Sequence, residues 1–246
     1  MKTLLSLLLL CGTLLAGPDF NLSGERWSYQ DGSFTMSGIL LKPPGKGPFP
    51  AVLISHGLGG SAQSFGMNKA REMVQWGFVC IAPDYTHTGG ARGAAPRADY
   101  GASEENIRRA RTCLELVSQM PEVDAKRLFA YGHSMGGFVT IGLAAASPDL
   151  LKAAAITGSG ISQAKGFPAP TADAAQQIRT PFLMLHGGQD NVVRPEQSAA
   201  LKKVLDENQV PNDRLLADDQ GHPIDQTMRT EVFRLTREWF EKHGAR

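Results

Sequence analysis

The sequence is notable first for what it lacks. Its 246 residues carry a formal net charge of only +1, without the basic excess that phosphate binding normally leaves, which argues against nucleic acid as a partner. The one dense basic cluster is Arg108, Arg109 and Arg111. It falls on a predicted helix whose other face carries Ile107, Ala110, Leu114 and Val117, so it is expected to be a solvated helix face. No cysteine or histidine pair sits at zinc spacing and no H-E-x-x-H helix occurs, so no metal site is expected. Of three cysteines, Cys11 lies in the N-terminal apolar stretch. Two free buried thiols at Cys80 and Cys113 are as compatible with the sequence as one bridge. Internal repeats and charged low-complexity tracts are absent.

The main apolar run is at the N-terminus. Met1-Lys2 is followed by residues 4–10 and Leu14-Leu15, too short a stretch to span a bilayer, with Ala16 placed for cleavage. This predicts an export signal over residues 1–16 and a periplasmic or secreted chain without stable membrane insertion after cleavage. Leu14 is large for its position before the cut, which leaves the cleavage site open. Lipid anchoring at Cys11 is disfavoured because Leu10 is bulky where such signals want a small residue. An N-terminal core helix is disfavoured because the stretch has no polar face. Residues 17–246, in a sequence that is 42% hydrophobic, are enough for one domain with a sizeable core.

What is present is concentrated in four motifs. Gly132-His133-Ser134-Met135-Gly136 sits where an apolar run, 127–131, gives way to a helical segment predicted from Gly137. A serine on a sharp strand-to-helix turn tolerates no Cβ two residues to either side, and glycine fills both places. Asp190 ends the run Pro181-Phe182-Leu183-Met184-Leu185-His186-Gly187-Gly188-Gln189, at a strand tip from which a carboxylate can reach a histidine. The competing role for Asp190 is a turn or helix cap ahead of Pro195.

Among six histidines, only His222, in Asp218-Asp219-Gln220-Gly221-His222, follows Asp190 in a loop near a strand end. That completes the order Ser, Asp, His. Residues 51–55 run into a Gly-rich loop, His56-Gly57-Leu58-Gly59-Gly60, where the amide of Leu58 pairs with that of Met135 as expected oxyanion donors. A nucleotide-binding role for this loop fails on pattern, since it has neither G-x-G-x-x-G nor the Lys-Ser/Thr of a P-loop.

Around these motifs the pattern is strand and helix in alternation. Residues 27–30 and 33–41 flank Asp31-Gly32, a hairpin signal, so the first strands are expected to be antiparallel. Helices are predicted over 64–76 with Gly77 as stop, over 103–120 with Ser103 as cap, over 195–208 and over 224–240. Strands are predicted over 78–82, 127–131, 153–157, 182–185 and 214–217. This implies a mostly parallel central sheet with an antiparallel N-terminal hairpin and helices on both faces. Two irregular stretches, 86–102 and 159–180, follow sheet strands at the end where ligands bind in open α/β sheets. They are expected either to shape the substrate site or to be surface loops.

The run at residues 48–57, Ala82-Pro83-Asp84-Tyr85 and Gly-His-Ser-Met-Gly-Gly resemble the α/β-hydrolase superfamily over nearly the whole chain beyond the signal, and small secreted esterases and dienelactone-hydrolase-like proteins in particular. Dienelactone hydrolases proper carry cysteine at the elbow, so Ser134 implies a serine esterase instead. The resemblance implies an α/β-hydrolase fold, here with a minimal lid, and hydrolysis of carboxylic esters with Ser134 as nucleophile, His222 as base and Asp190 as its orienter. No cofactor is called for, and the expected partner is a small-molecule or accessible ester. A peptidase or acyltransferase would use the same residues, and a non-catalytic binding protein of this fold would usually lack part of the triad.

Overall fold

The computed structural model describes residues 19–89, 95–162 and 166–246. The expectations for residues 1–16 and Cys11 lie outside them, as do parts of both irregular stretches. Nine strands, β1 (Asp19–Ser23), β2 (Arg26–Asp31), β3 (Phe34–Leu41), β4 (Phe49–Ser55), β5 (Val79–Pro83), β6 (Val123–His133), β7 (Ala153–Thr157), β8 (Phe182–Gly187) and β9 (Asn212–Ala217), form one sheet. Their order is β1-β2-β3-β5-β4-β6-β7-β8-β9. Pairings up to β3–β5 are antiparallel and all later ones parallel. Helices α1 (Met67–Met73), α2 (Glu104–Ser118), α3 (Met135–Ala146), α4 (Ala172–Ala175), α5 (Glu196–Glu207), α6 (Ile224–Thr227) and α7 (Arg229–Phe240) surround it.

Strands β4, β5, β7 and β8 are nearly continuous apolar runs because both faces are covered. In β4, Ala51 and Leu53 join the core under α2, α3 and α5, while Val52 and Ile54 join the core under α1 and α7. Cys80 and Cys113 are free and lie in these two opposite cores, with the sheet between them. Arg108 stacks over Phe34 at 3.6 Å and Arg109 pairs with Glu105 at 2.8 Å, on the outer face of α2.

The elements differ from the sequence expectations in ways that have local causes. The hairpin loop is Gly32-Ser33, one residue later than Asp31-Gly32, because Asp31 pairs with Phe34 and Gly32 takes the left-handed conformation at φ 57. The expected helix 64–76 is α1 flanked by a π turn over Ala62–Gly66, capped by Ser61, and a 3₁₀ turn over Val74–Trp76 that stops at Gly77. The expected helix 224–240 breaks at Met228 (φ −113, ψ 34) into α6 and α7. Ser103 caps α2 through a bond from the Asn106 amide, as its position implies.

The two irregular stretches meet. The Ala102 amide donates to the Pro168 carbonyl at 3.0 Å, and Tyr100, Phe138 and Val193 pack with Met135 and the neighbouring Phe167. Both stretches therefore press on the residue after Ser134. Among the described residues, the only helix in the second stretch is the four-residue α4, which packs against α3 and α5.

Candidate active site

Ser134 stands between β6 and α3 with φ 54 and ψ −122, a conformation that L residues rarely hold. The turn is this tight because its glycines permit it. A Cβ at Gly132 would strike the Gly136 carbonyl, and one at Gly136 would strike the Ser55 carbonyl. The Ser134 amide donates to Thr157 at 2.9 Å, which ties the turn to the tip of β7. Met135 is the first residue of α3, so its amide has no acceptor within the helix and lies at the positive end of the helix dipole.

Asp190 and His222 come from the tips of β8 and β9, which are bonded together beyond the sheet. Gly188 donates to Ala217 at 2.7 Å and Gln189 to Gln220 at 2.8 Å. Side chains at Gly187 and Gly188 would collide with that second turn, so the close approach requires glycine. The result is a continuous hydrogen-bonded line. His222 Nε2 is 2.8 Å from Ser134 Oγ, and His222 Nδ1 is 2.7 Å from Asp190 Oδ2. The other carboxylate oxygen of Asp190 accepts from the Val192 and Val193 amides, both at 2.9 Å. Asp190 thus fills the turn role weighed for it as well as reaching His222. Asp218 and Asp219 are exposed.

Leu58 sits on the loop after β4, close enough that a Cβ at Gly57 would lie 3.1 Å from the Ser134 Cβ. The Gly57 carbonyl accepts from His56 Nδ1 at 2.8 Å and from the Gly60 amide at 3.1 Å. In a trans peptide the next N–H points the opposite way, so the Leu58 amide is turned away from that internal bonding.

A buried histidine pair, not singled out in the sequence, holds this loop. His56 Nε2 accepts from the Tyr85 amide at 3.2 Å and the Thr88 hydroxyl at 3.0 Å. His87 Nε2 donates to the His56 carbonyl at 3.1 Å while its Nδ1 accepts from Asn106 at 3.3 Å. Each ring donates once and accepts from its neighbours, the arrangement of a neutral imidazole. Burial accordingly pushes His56 down to about 4 and His87 to about 3, the nearby His56 adding to the latter.

His133 is also buried, pushed down to about 4 mainly by desolvation. Its ring lies 5.0 Å from that of His222. Beneath it is an ion pair, Lys69 Nζ to Asp225 Oδ2 at 2.7 Å, with both side chains almost fully buried. Lys69 also donates to the Asp225 carbonyl at 3.1 Å and approaches the rings of Phe65 and Phe233. Asp225 follows His222 closely in sequence, so this pair pins the His222 segment onto α1. Neither partner stands in a motif, and Lys69 reads as an ordinary surface lysine of a helix.

The family model described as the dienelactone hydrolase family matches residues 36–232. Esterase FrsA of Enterobacter sp. (strain 638) is 24% identical over 168 residues, covering 67% of this chain and 39% of that protein. Cutinase est1 of Thermobifida alba is 32% identical over 147 residues, covering 58% of this chain and 46% of that protein. The acylaminoacyl peptidase of Pyrococcus horikoshii superposes with a TM-score of 0.76 at 17% identity, over 92% of this chain and 42% of that one, a likeness of fold alone. The chain spans less than half the length of each of these relatives.

Proposed function

The chain belongs to the dienelactone hydrolase family, and from that premise we propose that it is a serine hydrolase that cleaves short-chain carboxylic esters through an acyl-enzyme. The observation that carries this is the line from Ser134 Oγ through His222 to Asp190, at 2.8 Å and 2.7 Å.

In this reading Ser134 Oγ attacks the ester carbonyl while its proton passes to His222 Nε2. The tetrahedral oxyanion is held by the amides of Leu58 and Met135, one turned outward by the internal bonding of Gly57 and the other at the start of α3. The carbon–oxygen bond to the leaving group breaks as His222 returns the proton to the departing alkoxide. Water then repeats the sequence on the acyl-enzyme, losing a proton to His222 and releasing the acid and Ser134. Asp190 Oδ2 accepts from His222 Nδ1 and so fixes the tautomer with the proton on that nitrogen.

Short acyl groups are favoured because only the one-turn helix α4, packed against α3 and α5, lies in the described part of the stretch where a lid would be inserted. The described apolar residues beside Met135, Tyr100, Phe138, Phe167 and Val193, offer a wall for a short acyl group, and a chain reaching beyond them forgoes the ~0.8 kcal/mol available per buried methylene. Nitrophenyl esters of graded length test this: kcat/KM should peak from acetyl to butyryl. A continuous rise to long chains, or a jump above the substrate's solubility limit, would refute it. Matched amides and added acyl acceptors separate esterase from peptidase and acyltransferase.

A further inference from the structure

Beside Ser134 a cleft of about 310 Å³ opens between the Leu58 loop and the His222 segment, walled by Leu58, Ser64, Phe65, His133 and Gln226. A second cleft of about 370 Å³ shares Ser64, Phe65 and Gln226 with it and runs on toward Arg229. Phe65 is the one aromatic side chain common to both. Its ring is half-buried and fixed in orientation, stacked within 22° of His133 at 6.0 Å and within 15° of Tyr131 at 6.4 Å, with Lys69 Nζ 5.1 Å from its centre. It belongs to the π turn before α1, an irregularity frequent at functional sites.

The walls of the cleft indicate which end of a substrate it would hold. His222 Nε2 must reach the leaving oxygen to protonate it. The cleft is bounded by His133, whose ring lies against His222 at 5.0 Å, and by Gln226 on the segment that continues from His222. The leaving group departs toward that side. Resting on the serine-esterase reading above, we propose that the Phe65 cleft is the alcohol subsite and that it selects planar aromatic alcohols, making short-acyl benzyl-type esters the favoured substrates. A flat ring entering the cleft meets a pre-oriented aromatic side chain and displaces water from it, whereas a saturated ring of the same size cannot stack. Stacked or edge-on aromatic pairs gain about 0.5–1.5 kcal/mol beyond area burial, which corresponds to about two- to tenfold in kcat/KM.

The test compares kcat/KM for benzyl acetate and cyclohexylmethyl acetate, with methyl benzoate as the arm that places the ring on the acyl side. The wild type should prefer benzyl acetate by about two- to tenfold, and Phe65→Leu should bring the ratio close to one. A ratio unchanged in Phe65→Leu, or methyl benzoate surpassing benzyl acetate, would overturn the assignment. Saturation-transfer NMR of benzyl alcohol against cyclohexylmethanol on Ser134→Ala protein reads the cleft without turnover. A signal lost with Phe65→Leu supports the subsite even if the wild type cleaves no ester, an outcome that would instead refute the hydrolase reading. Equal signals with and without Phe65 would refute the subsite.

Discussion

His186 lies directly behind Asp190, with Nε2 3.3 Å from the same Oδ2 that contacts His222. Nε2 is also 2.9 Å from the Val193 carbonyl, which can only accept, so that nitrogen carries the proton. Nδ1 is then left buried without a partner, and burial lowers the pKa of the ring, in keeping with a neutral imidazole. The single Nε2 proton goes to the Val193 carbonyl, and the Val193 amide donates to Asp190 Oδ1, so the ring holds the turn that aims the carboxylate at His222. His186→Leu leaves the buried Val193 carbonyl without its donor and loosens the turn that carries Asp190, so it should lower kcat about tenfold with little change in KM, an unsatisfied buried acceptor costing about 1–3 kcal/mol. His186→Gln, whose amide can occupy the Nε2 position, should recover most of the rate. Equal kinetics for the Leu and Gln variants would assign His186 to packing alone.

Ser134→Ala should abolish turnover and labelling by a fluorophosphonate, leaving the fold intact. The strained backbone adds a second expectation. At φ 54 and ψ −122 glycine is better suited than any L residue, so Ser134→Gly should be more stable than Ser134→Ala by about 1 kcal/mol. Urea unfolding of the two inactive variants measures it, and equal midpoints would mean the elbow relaxes.

Asp190→Asn should lower kcat on the order of 10⁴-fold, as the imidazole loses the partner that fixes its tautomer. Asp218→Asn and Asp219→Asn should be close to wild type, because both side chains are exposed. Near-normal activity of Asp190→Asn would show that Asp190 only shapes its turn.

Acid should destabilise this protein earlier than carboxylate titration alone would. His56, His87 and His133 are held at about 4, about 3 and about 4 by desolvation. In the unfolded chain each titrates near ~6.5. Below that value the unfolded state takes up protons that the folded state refuses, so the stability present above ~6.5 is lost as pH falls toward the folded values. Each histidine contributes a slope of up to ~1.4 kcal/mol per pH unit. Urea midpoints followed from about pH 7.5 to about pH 4.5 should decline steadily from about pH 6, and a plateau down to about pH 5 would contradict these buried neutral rings.

The parallel half of the sheet was legible because β4, β5, β7 and β8 are buried on both faces and stand out as apolar runs between glycine turns. Strand β1 was not, because its alternation of Phe20 and Leu22 with polar residues spans only five positions and is mostly exposed, and the first half of β6 is polar where it too is exposed. In the site, Ser134, Asp190 and His222 were marked by turn chemistry that must recur at a strand tip. Asn106, Lys69 and Asp225 act through contacts with other segments of the chain, so no local pattern announced them, while His186 lies within the Asp190 motif and takes its role only because the turn folds Val193 back onto its ring. The break at Met228 escaped because the apolar spacing continues across it while the backbone does not.

The Lys69–Asp225 pair also constrains how this chain can drift. Losing Lys69 strands a carboxylate in the core beneath His133, and losing Asp225 strands an ammonium against two phenyl rings, each at a cost of about 3–5 kcal/mol. That is comparable to much of the total stability of a domain, whereas an apolar pair at both positions would be near neutral. Every single-step path between these two acceptable states therefore crosses a strongly destabilised intermediate. In diverging sequences positions 69 and 225 should change together or not at all.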